Sequence, residues 1–260
     1  MPIVKARTHV EVYRLRASSL DIHELNGRGA DKATTALVTD EIATQMGLLA
    51  PGNWDFLDVG CGDGSLAAAA AASNKSVVGT APSAEEIESL ERHHADRPIV
   101  FKRAMADALP FADASFDRVV IHGVVTILPN EDAVLAAIGE VARVTRPGGL
   151  VWIGSVPDRD ENAFYGRTYG DSIAGWLRFV LRREGPHAAL RAALRVARAA
   201  VSSEPFVIQP KEVFVCPPDR FAALAASRGL RVLRHFRLRV ARNGAQPIES
   251  LTRVNFVLER

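Results

Sequence analysis

Cysteine is almost absent from this chain: Cys61 and Cys216 are the only two in 260 residues. They stand far apart and match no zinc spacing. That excludes a disulfide framework and a structural metal, and it favours a reducing compartment. Long apolar runs are also missing. No stretch approaches the roughly 18 uncharged apolar residues that a membrane span needs. The run opening at Trp176-Leu177 is cut at once by Arg178. Met1 to Arg16 lacks an apolar centre of signal-peptide length. The expected setting is therefore the cytoplasm, with no transmembrane segment and no metal.

What is present suits a packed domain. The chain is 48% hydrophobic, enough for one compact α/β domain with insertions or for a domain with a small cap. Net charge is only +2 but is unevenly spread. Trp176 to Arg242 holds 14 Lys and Arg against 4 Asp and Glu, a net +10. Such asymmetry can mark an anionic partner. Arginine far outnumbers lysine along the whole chain, and alanine is abundant, as a GC-rich coding sequence alone would produce. Both readings stay open.

Punctuation and periodicity divide the chain. Asp31 to Leu49 reads as a helix, with Asp31 as N-cap and Gly47 near its end. After the break at Pro51-Gly52, five short apolar strands are expected: Asp55 to Val59, Lys75 to Gly79, Pro98 to Lys102, Phe116 to Ile121 and Leu150 to Ser155. Helices intervene at Leu66 to Ser73, from Pro82-Ser83 to about His94, and at Glu131 to Thr145. Ser83 and Glu86 have capping-box spacing. Pro147-Gly148-Gly149 is expected to end the last of these helices. This alternation predicts βαβ units, right-handed crossovers and a doubly wound parallel sheet. The rhythm breaks after Pro157. Asp171 to Ser202 reads as a long helical region split at Gly185-Pro186. Pro217 to Ser227 reads as a helix, and Leu230 to Val240 and Leu251 to Leu258 as two late strands.

The most informative segment is Asp58-Val59-Gly60-Cys61-Gly62-Asp63-Gly64. An apolar strand runs into three glycines at alternate positions and then into a helix. Glycine there permits positive φ and close approach of a ligand to the backbone. The helix start that follows offers unpaired N–H groups. The third glycine comes one residue too early for a dinucleotide fingerprint. Further landmarks follow in order: Val77 to Ser83, Ala106-Asp107-Ala108-Leu109-Pro110-Phe111, Ser115 to Val120, Leu128-Pro129-Asn130 and Arg146 to Leu150.

Together these segments resemble the class I S-adenosylmethionine-dependent methyltransferases, in the broad group acting on small molecules. The resemblance covers roughly residues 50 to 157, and Arg253 to Leu258 resembles the family's last, antiparallel strand. It implies a Rossmann-like, seven-stranded, mostly parallel sheet with a helical insertion after the fifth strand. The corresponding division is 1–50 as an N-terminal helical, substrate-facing segment, 51–157 as the cofactor-binding core, 158–210 as a helical cap and 211–260 as completion of the sheet. It also implies S-adenosylmethionine as cofactor, with S-adenosylhomocysteine as product. Gly60, Cys61, Gly62 and Gly64 would pass under its methionine part, and Asp58 would hold its ammonium. Asp107 would accept from the adenine amino group, with Ala106, Ala108 and Leu109 beside the ring.

Two positions depart from the family pattern. The acid that usually holds the ribose at the end of the second strand is replaced by Ala81, followed by Pro82. Glu86, Glu85, Thr80 and Ser83 are the nearby groups able to compensate. A hydrogen bond to a charged group is worth about 1.5–3 kcal/mol, so loss without compensation would weaken binding by one to two orders of magnitude, at about 1.4 kcal/mol for each. The His pair common before the Leu-Pro is here Thr126-Ile127. His122, at the end of the fourth strand, is the alternative pocket-lining residue and candidate general base.

Methyl transfer from a sulfonium mainly requires alignment and exclusion of water. The expected acceptor is a small molecule or carbohydrate, and the basic stretch allows an anionic one. O-, N- and C-methylation are equally compatible with the sequence. The N-terminal His9, Tyr13 and His23 and the segment Glu161 to Gly166 with Tyr169 are expected to line its pocket. Arg178 with Arg182, and Arg191 with Arg195 and Arg198, recur at helical spacing; each set forms a basic face for phosphate, carboxylate or acidic lipid, or simply a solvated one. No Asn/Asp-Pro-Pro-aromatic run follows the fourth strand, which argues against DNA as substrate. A homodimer is compatible with the sequence. The competing readings are a degenerate methyltransferase-fold protein without cofactor binding and, disfavoured by the glycine spacing, an NAD-type oxidoreductase.

Overall fold

A computed structural model of the chain describes residues 3–17, 22–26, 32–159, 173–201, 206–208, 214–241 and 246–260. Its centre is the strand β2 (Asp55–Val59), buried at every position. A strand covered on both faces needs a continuous apolar run rather than an alternating one. On one side of it lie β3 (Ser76–Ala81) and β4 (Val100–Arg103). On the other lie β5 (Phe116–His122), β6 (Thr145–Pro157), β9 (Ile248–Glu259) and β8 (Arg231–Val240). The order across the seven-stranded sheet is β4-β3-β2-β5-β6-β9-β8. The first five strands in that order are parallel, whereas β9 pairs antiparallel with both β6 and β8. This is the expected doubly wound fold. Its order reverses between β2 and β5, which opens a crevice at their carboxyl ends.

Side-chain alternation along the strands feeds two cores. Val119 and Ile121 of β5 join Val151, Ile153 and Phe256 against α5 (Glu131–Val144) and α8 (Pro218–Ala226). Val120 points the other way, to Phe56, Trp152 and Leu238 beneath α2 (Lys32–Gln45) and α3 (Ser65–Ala70). The helix α4 (Ala84–His93) begins at the expected N-cap, with Ser83 Oγ accepting from the Glu86 amide at 3.3 Å.

Three features differ from the sequence expectation. The helix expected to reach Thr145 stops at Val144, and β6 begins at Thr145, running through Pro147-Gly148-Gly149. The reason is tertiary: Gly148 donates to the Arg260 carbonyl at 2.8 Å, and Arg260 donates back to Gly149 at 3.1 Å. The chain end thus supplies the partners that make this turn part of a strand. Second, the helical segment expected over residues 1–50 contains, besides α2, a separate helix α1 (His9–Arg16) capped by Thr8 that the residue pattern did not single out. Third, β1 (Ile3–Lys5) pairs in parallel with β7 (Phe206–Ile208), joining the N-terminal segment to the end of the insertion. Strands of three residues are too short to declare themselves by alternation. The insertion itself contains α6 (Ile173–Glu184) and α7 (Pro186–Val201).

Charges collect at the amino end of the sheet. Arg146 bridges Asp117 at 2.6 Å and Asp55 at 3.0 Å, and Lys75 pairs with Asp55 at 3.0 Å. Asp117 also accepts the Asp55 amide at 2.9 Å. The cluster ties the starts of β2, β5 and β6 together. Burial pushes the Asp55 carboxyl up, but hydrogen bonds from Ser76, Lys75 and Arg146 override it and hold it below its ordinary 3.8. Its contribution to stability is present above that value and is lost as the pH falls below it. Arg146→Ala is expected to cost about 1–2 kcal/mol in urea unfolding. The deficit should shrink as the carboxylates protonate in acid.

Candidate functional site at the carboxyl ends of β2 and β5

The turn from β2 into α3 is built from left-handed backbone. Gly60, Gly62 and Gly64 have φ of 68°, 58° and 74°, which L side chains rarely adopt. Space is short as well. A Cβ on Gly60 would lie 2.5 Å from Val124 Cγ2, and one on Gly64 would lie 2.7 Å from His94 Nε2. At Gly62 it would meet Asn26 Cα at 3.2 Å and the Leu25 carbonyl at 3.3 Å. The short 3-10 turn Ile22–Asn26 therefore roofs the glycine loop.

One carboxylate holds this roof in place. Asp63, 4% exposed, receives His23 Nδ1 at 2.8 Å and Asn26 Nδ2 at 2.9 Å on one oxygen, and the Ser65 amide at 3.1 Å on the other. A carboxylate only accepts, so His23 Nδ1 is the donor. Burial raises the Asp63 pKa, but the hydrogen bonds from His23, Ser65 and Asn26 prevail and hold it below the usual carboxylate range. The Asp63 carbonyl is met by His94 Nε2 at 2.9 Å. His23, expected among the acceptor-pocket residues, is thus spent on the loop. Asp63 was not among the expected site residues, although its place between two of the motif glycines was the available signal.

Two further carboxyls lie close by without such support. Asp58, at the end of β2 and 4% exposed, has its pKa raised to about 7 by burial and by repulsion from Asp63. Glu86, in the first turn of α4 and 5% exposed, is also raised to about 7, with burial outweighing its hydrogen bonds. Ser83 Oγ donates to Glu86 Oε2 at 2.6 Å. Glu86 is therefore not a solvated helix-start acid, whereas its neighbour Glu85 is exposed. Cys61 lies within electrostatic reach of both Asp58 and Glu86, and burial pushes its thiol well above 9.0, so it is an inert wall. Ala81, 2% exposed, packs with Cys61, Leu90 and Phe101. Pro82, half-buried, offers its carbonyl to Arg103 Nε at 3.2 Å.

The loop carrying Ala106, Asp107 and Ala108 is stapled from α5. Glu140 Oε2 accepts the Leu109 amide at 2.7 Å, while Arg143 donates to the carbonyls of Leu109 at 3.0 Å and Phe111 at 2.8 Å. Ala106 is buried, and Asp107 and Ala108 are exposed. Met105, 44% exposed, adds an apolar side chain that the motif did not flag.

His122 ends β5, one register step from Gly60. Its ring lies over Gly154, where a Cβ would sit 2.1 Å from Nδ1, so glycine is required there. Trp152 Nε1 donates to His122 Nδ1 at 3.2 Å. Indole is a donor only, so Nδ1 accepts and the neutral ring carries its proton on Nε2. Such a ring offers a hydrogen bond from Nε2; proton abstraction through that nitrogen does not fit. Beyond it, Ser155 adopts φ 61°, held by Asn255 Oδ1 at 2.9 Å from its amide. Arg253 donates to Thr126 Oγ1 at 2.9 Å and to the Ser155 carbonyl at 3.1 Å. The left-handed backbone of Ser155, shared among the described residues with Asn53 and Ala114, is held by these distant contacts and is not revealed by sequence.

His9 and Tyr13 lie on α1, which packs against α4 and the Ile22–Asn26 turn. Glu161 to Gly166 and Tyr169 lie outside the described residues, as do the side chains of Arg195 and Arg198. Among the described residues, no cluster of His, Cys, Asp and Glu is arranged to hold a metal, and no helix is long and apolar enough to cross a membrane. Asp63→Asn should remove the charged acceptor from the roof. The expected cost is about 2 kcal/mol, with faster tryptic cleavage at Arg14 and Arg16. An unchanged cleavage rate would show that the turn is held by other contacts.

Comparisons with known proteins agree with this geometry. Residues 57–153 match the family described as "Methyltransferase domain". An uncharacterized methyltransferase of Mycobacterium marinum is 39% identical over 131 residues, covering 48% of this chain and 49% of the relative. The 27-O-demethylrifamycin SV methyltransferase of Amycolatopsis mediterranei is 36% identical over 129 residues, covering 48% and 45%. The chain thus spans about half the length of the curated relatives it matches. The crystal structure of the N-methyltransferase NodS from Bradyrhizobium japonicum, in complex with S-adenosylhomocysteine, shares the fold at a TM-score of 0.58 and 11% identity, covering 96% of this chain and 97% of NodS. Residues 57–153 thus resemble a methyltransferase domain, and the strand order is that of the solved methyltransferase fold.

Proposed function

We propose that this chain transfers a methyl group from S-adenosylmethionine to a small-molecule acceptor. The observation that carries the reading is the pair of buried carboxyls, Asp58 at the end of β2 and Glu86 in the first turn of α4, both within electrostatic reach of Cys61 in the glycine loop. Burying acids is costly unless a ligand compensates them. The donor set fits the cofactor part by part. Asp58 suits its ammonium, Glu86 its ribose hydroxyls, and Asp107 the adenine amino group beside Ala106, Leu109 and Met105. Glu86 thereby takes over from the acid that Ala81 replaces.

When bound, the cofactor supplies an electrophilic methyl carbon on a positively charged sulfur. The chain's own part is alignment and dryness. The glycine loop, roofed by Leu25 and Asn26, holds the amino-acid end, and Glu140 with Arg143 fixes the adenine loop. His122, turned by Trp152, stands at the strand ends beside the glycine loop with its Nε2 buried. Ser155 and Thr126 form the neighbouring wall. That the Amycolatopsis relative's name specifies a rifamycin supports an organic small molecule as acceptor. The helices α6 and α7 form the cap region in this reading.

Gly62→Arg should abolish S-adenosylhomocysteine binding in calorimetry by displacing the Leu25–Asn26 roof; undiminished affinity in a folded variant would sink the assignment. Glu86 provides a sharper test. Its ribose bond requires the ionised form, so affinity should rise from pH 6 to pH 8 as carboxyls with pKa of about 7 lose their protons. Glu86→Gln should reduce that rise to the part due to Asp58 and weaken binding about tenfold at pH 8. Without ligand the sign reverses. Raised carboxyl pKa values make the free protein lose stability as pH climbs from the ordinary range through about 7, and Glu86→Gln should remove Glu86's share of that loss while Asp58's remains. Ala81→Asp alone places a second acid beside Glu86 in an apolar cluster. It should improve binding by no more than about tenfold, and it should rescue the Glu86→Gln variant. If neither substitution alters affinity, the ribose does not lie at the end of β3.

A further inference from the structure

The insertion's two helices leave leucines on the surface that their own pairing does not use. α6 and α7 fold back on each other across Gly185, in contact through Leu177 and Val180 with Ala189 and Ala192. Leu181, Leu190 and Leu194 remain 48%, 60% and 60% exposed. On α7, Leu190, Leu194 and the exposed Ala197 follow i, i+4, i+7 spacing and form one stripe, separate from the Ala189–Ala192 contact. Helical spacing turns Leu181 of the folded-back partner to the side that carries Leu190. Exposed arginines border the leucines: Arg178 and Arg182 on α6, and Arg191 on α7.

We propose that this leucine face, edged by arginines, seats on an anionic lipid bilayer surface. The leucines enter the boundary between headgroups and acyl chains, and the guanidinium groups meet lipid phosphates. Arginine suits that place, because its apolar stem lies along the leucines while its head reaches the phosphates. Charge decides between occupants. Residues 173–201 carry six arginines against the one acid Glu184, a net +5, so a second copy would bring like charges together. An anionic surface brings opposite charges together, and each basic residue near it adds to the attraction. Neither helix is long and apolar enough to span, so the contact is peripheral.

The test is flotation of the full chain with phosphatidylcholine vesicles, pure or containing about a third phosphatidylglycerol. The chain should float with the anionic vesicles, far less with the neutral ones, and release as salt rises. Leu190→Glu with Leu194→Glu should lower the bound fraction about tenfold, and Arg178→Gln with Arg182→Gln should do so by a similar factor on anionic vesicles only. Circular dichroism and S-adenosylhomocysteine binding report whether the variants fold; if they do not, the parent's partition decides alone. Failure of the parent to float at low salt overturns the proposal, as does a folded leucine variant that floats as well as the parent. A parent that stays unbound and forms a dimer dissociated by the leucine changes would assign the face to a second copy instead.

Discussion

The backbone's left-handed turn at Gly60, Gly62 and Gly64 is the constraint on which the site depends. It lets β2 end, reverse and enter α3 within a few residues, and so exposes a stretch of main chain at the sheet's switch point. Such a turn is entropically costly in the unfolded chain's terms, and side chains tie it down: Thr80 takes the Gly60 amide, His94 meets the Asp63 carbonyl, and the Asp63 carboxylate links it to the N-terminal turn. Asp63 gathers the Ser65 amide from α3, and His23 and Asn26 from the N-terminal turn. A single buried carboxylate thus joins the loop to its roof. Its depressed pKa expresses the same balance: three donors outweigh the cost of burial.

The two ends of the sheet treat charge in opposite ways. At the amino end, Asp55 and Asp117 share Arg146, and Asp55 also has Lys75, so every carboxylate has a cationic partner. At the carboxyl end, Asp58 and Glu86 are buried and pushed towards neutrality. The first arrangement stabilises the fold directly. The second leaves two acids buried with raised pKa values, a pattern that marks a candidate site rather than a scaffold contact.

Between these ends, rigid elements determine the directions in which functional groups point. Glu140 and Arg143 on α5 do not belong to the crevice, yet they hold the Leu109 and Phe111 backbone that carries Asp107 to it. Trp152, wholly buried in β6, orients the His122 ring across a glycine that leaves room for both. In each case a residue in the packed core positions one at the surface of the crevice, the arrangement expected of a preorganised site.

Local chemistry made much of this legible in the residues themselves. The apolar run Asp55 to Val59, the alternate glycines, the Ser83 cap and the βαβ rhythm are short-range signals. They specify the parallel sheet, the loop and the helix starts almost wherever they occur. What they could not reveal depends on contacts between distant residues. That Asp63 is the roof's anchor depends on His23, 40 positions away. That Pro147-Gly148-Gly149 joins a strand depends on Arg260 at the chain end. That Glu86 is buried while Glu85 is solvated, and that His122 accepts from Trp152 at Nδ1, depends on what packs against each side chain. Sequence patterning determined which elements form and where the crevice opens, because those follow from backbone preference and burial period. Tertiary structure alone decided which acids are charged, which histidine is spent on support and which ring nitrogen holds a proton, because protonation and hydrogen bonding are set by neighbours brought together only when the chain folds.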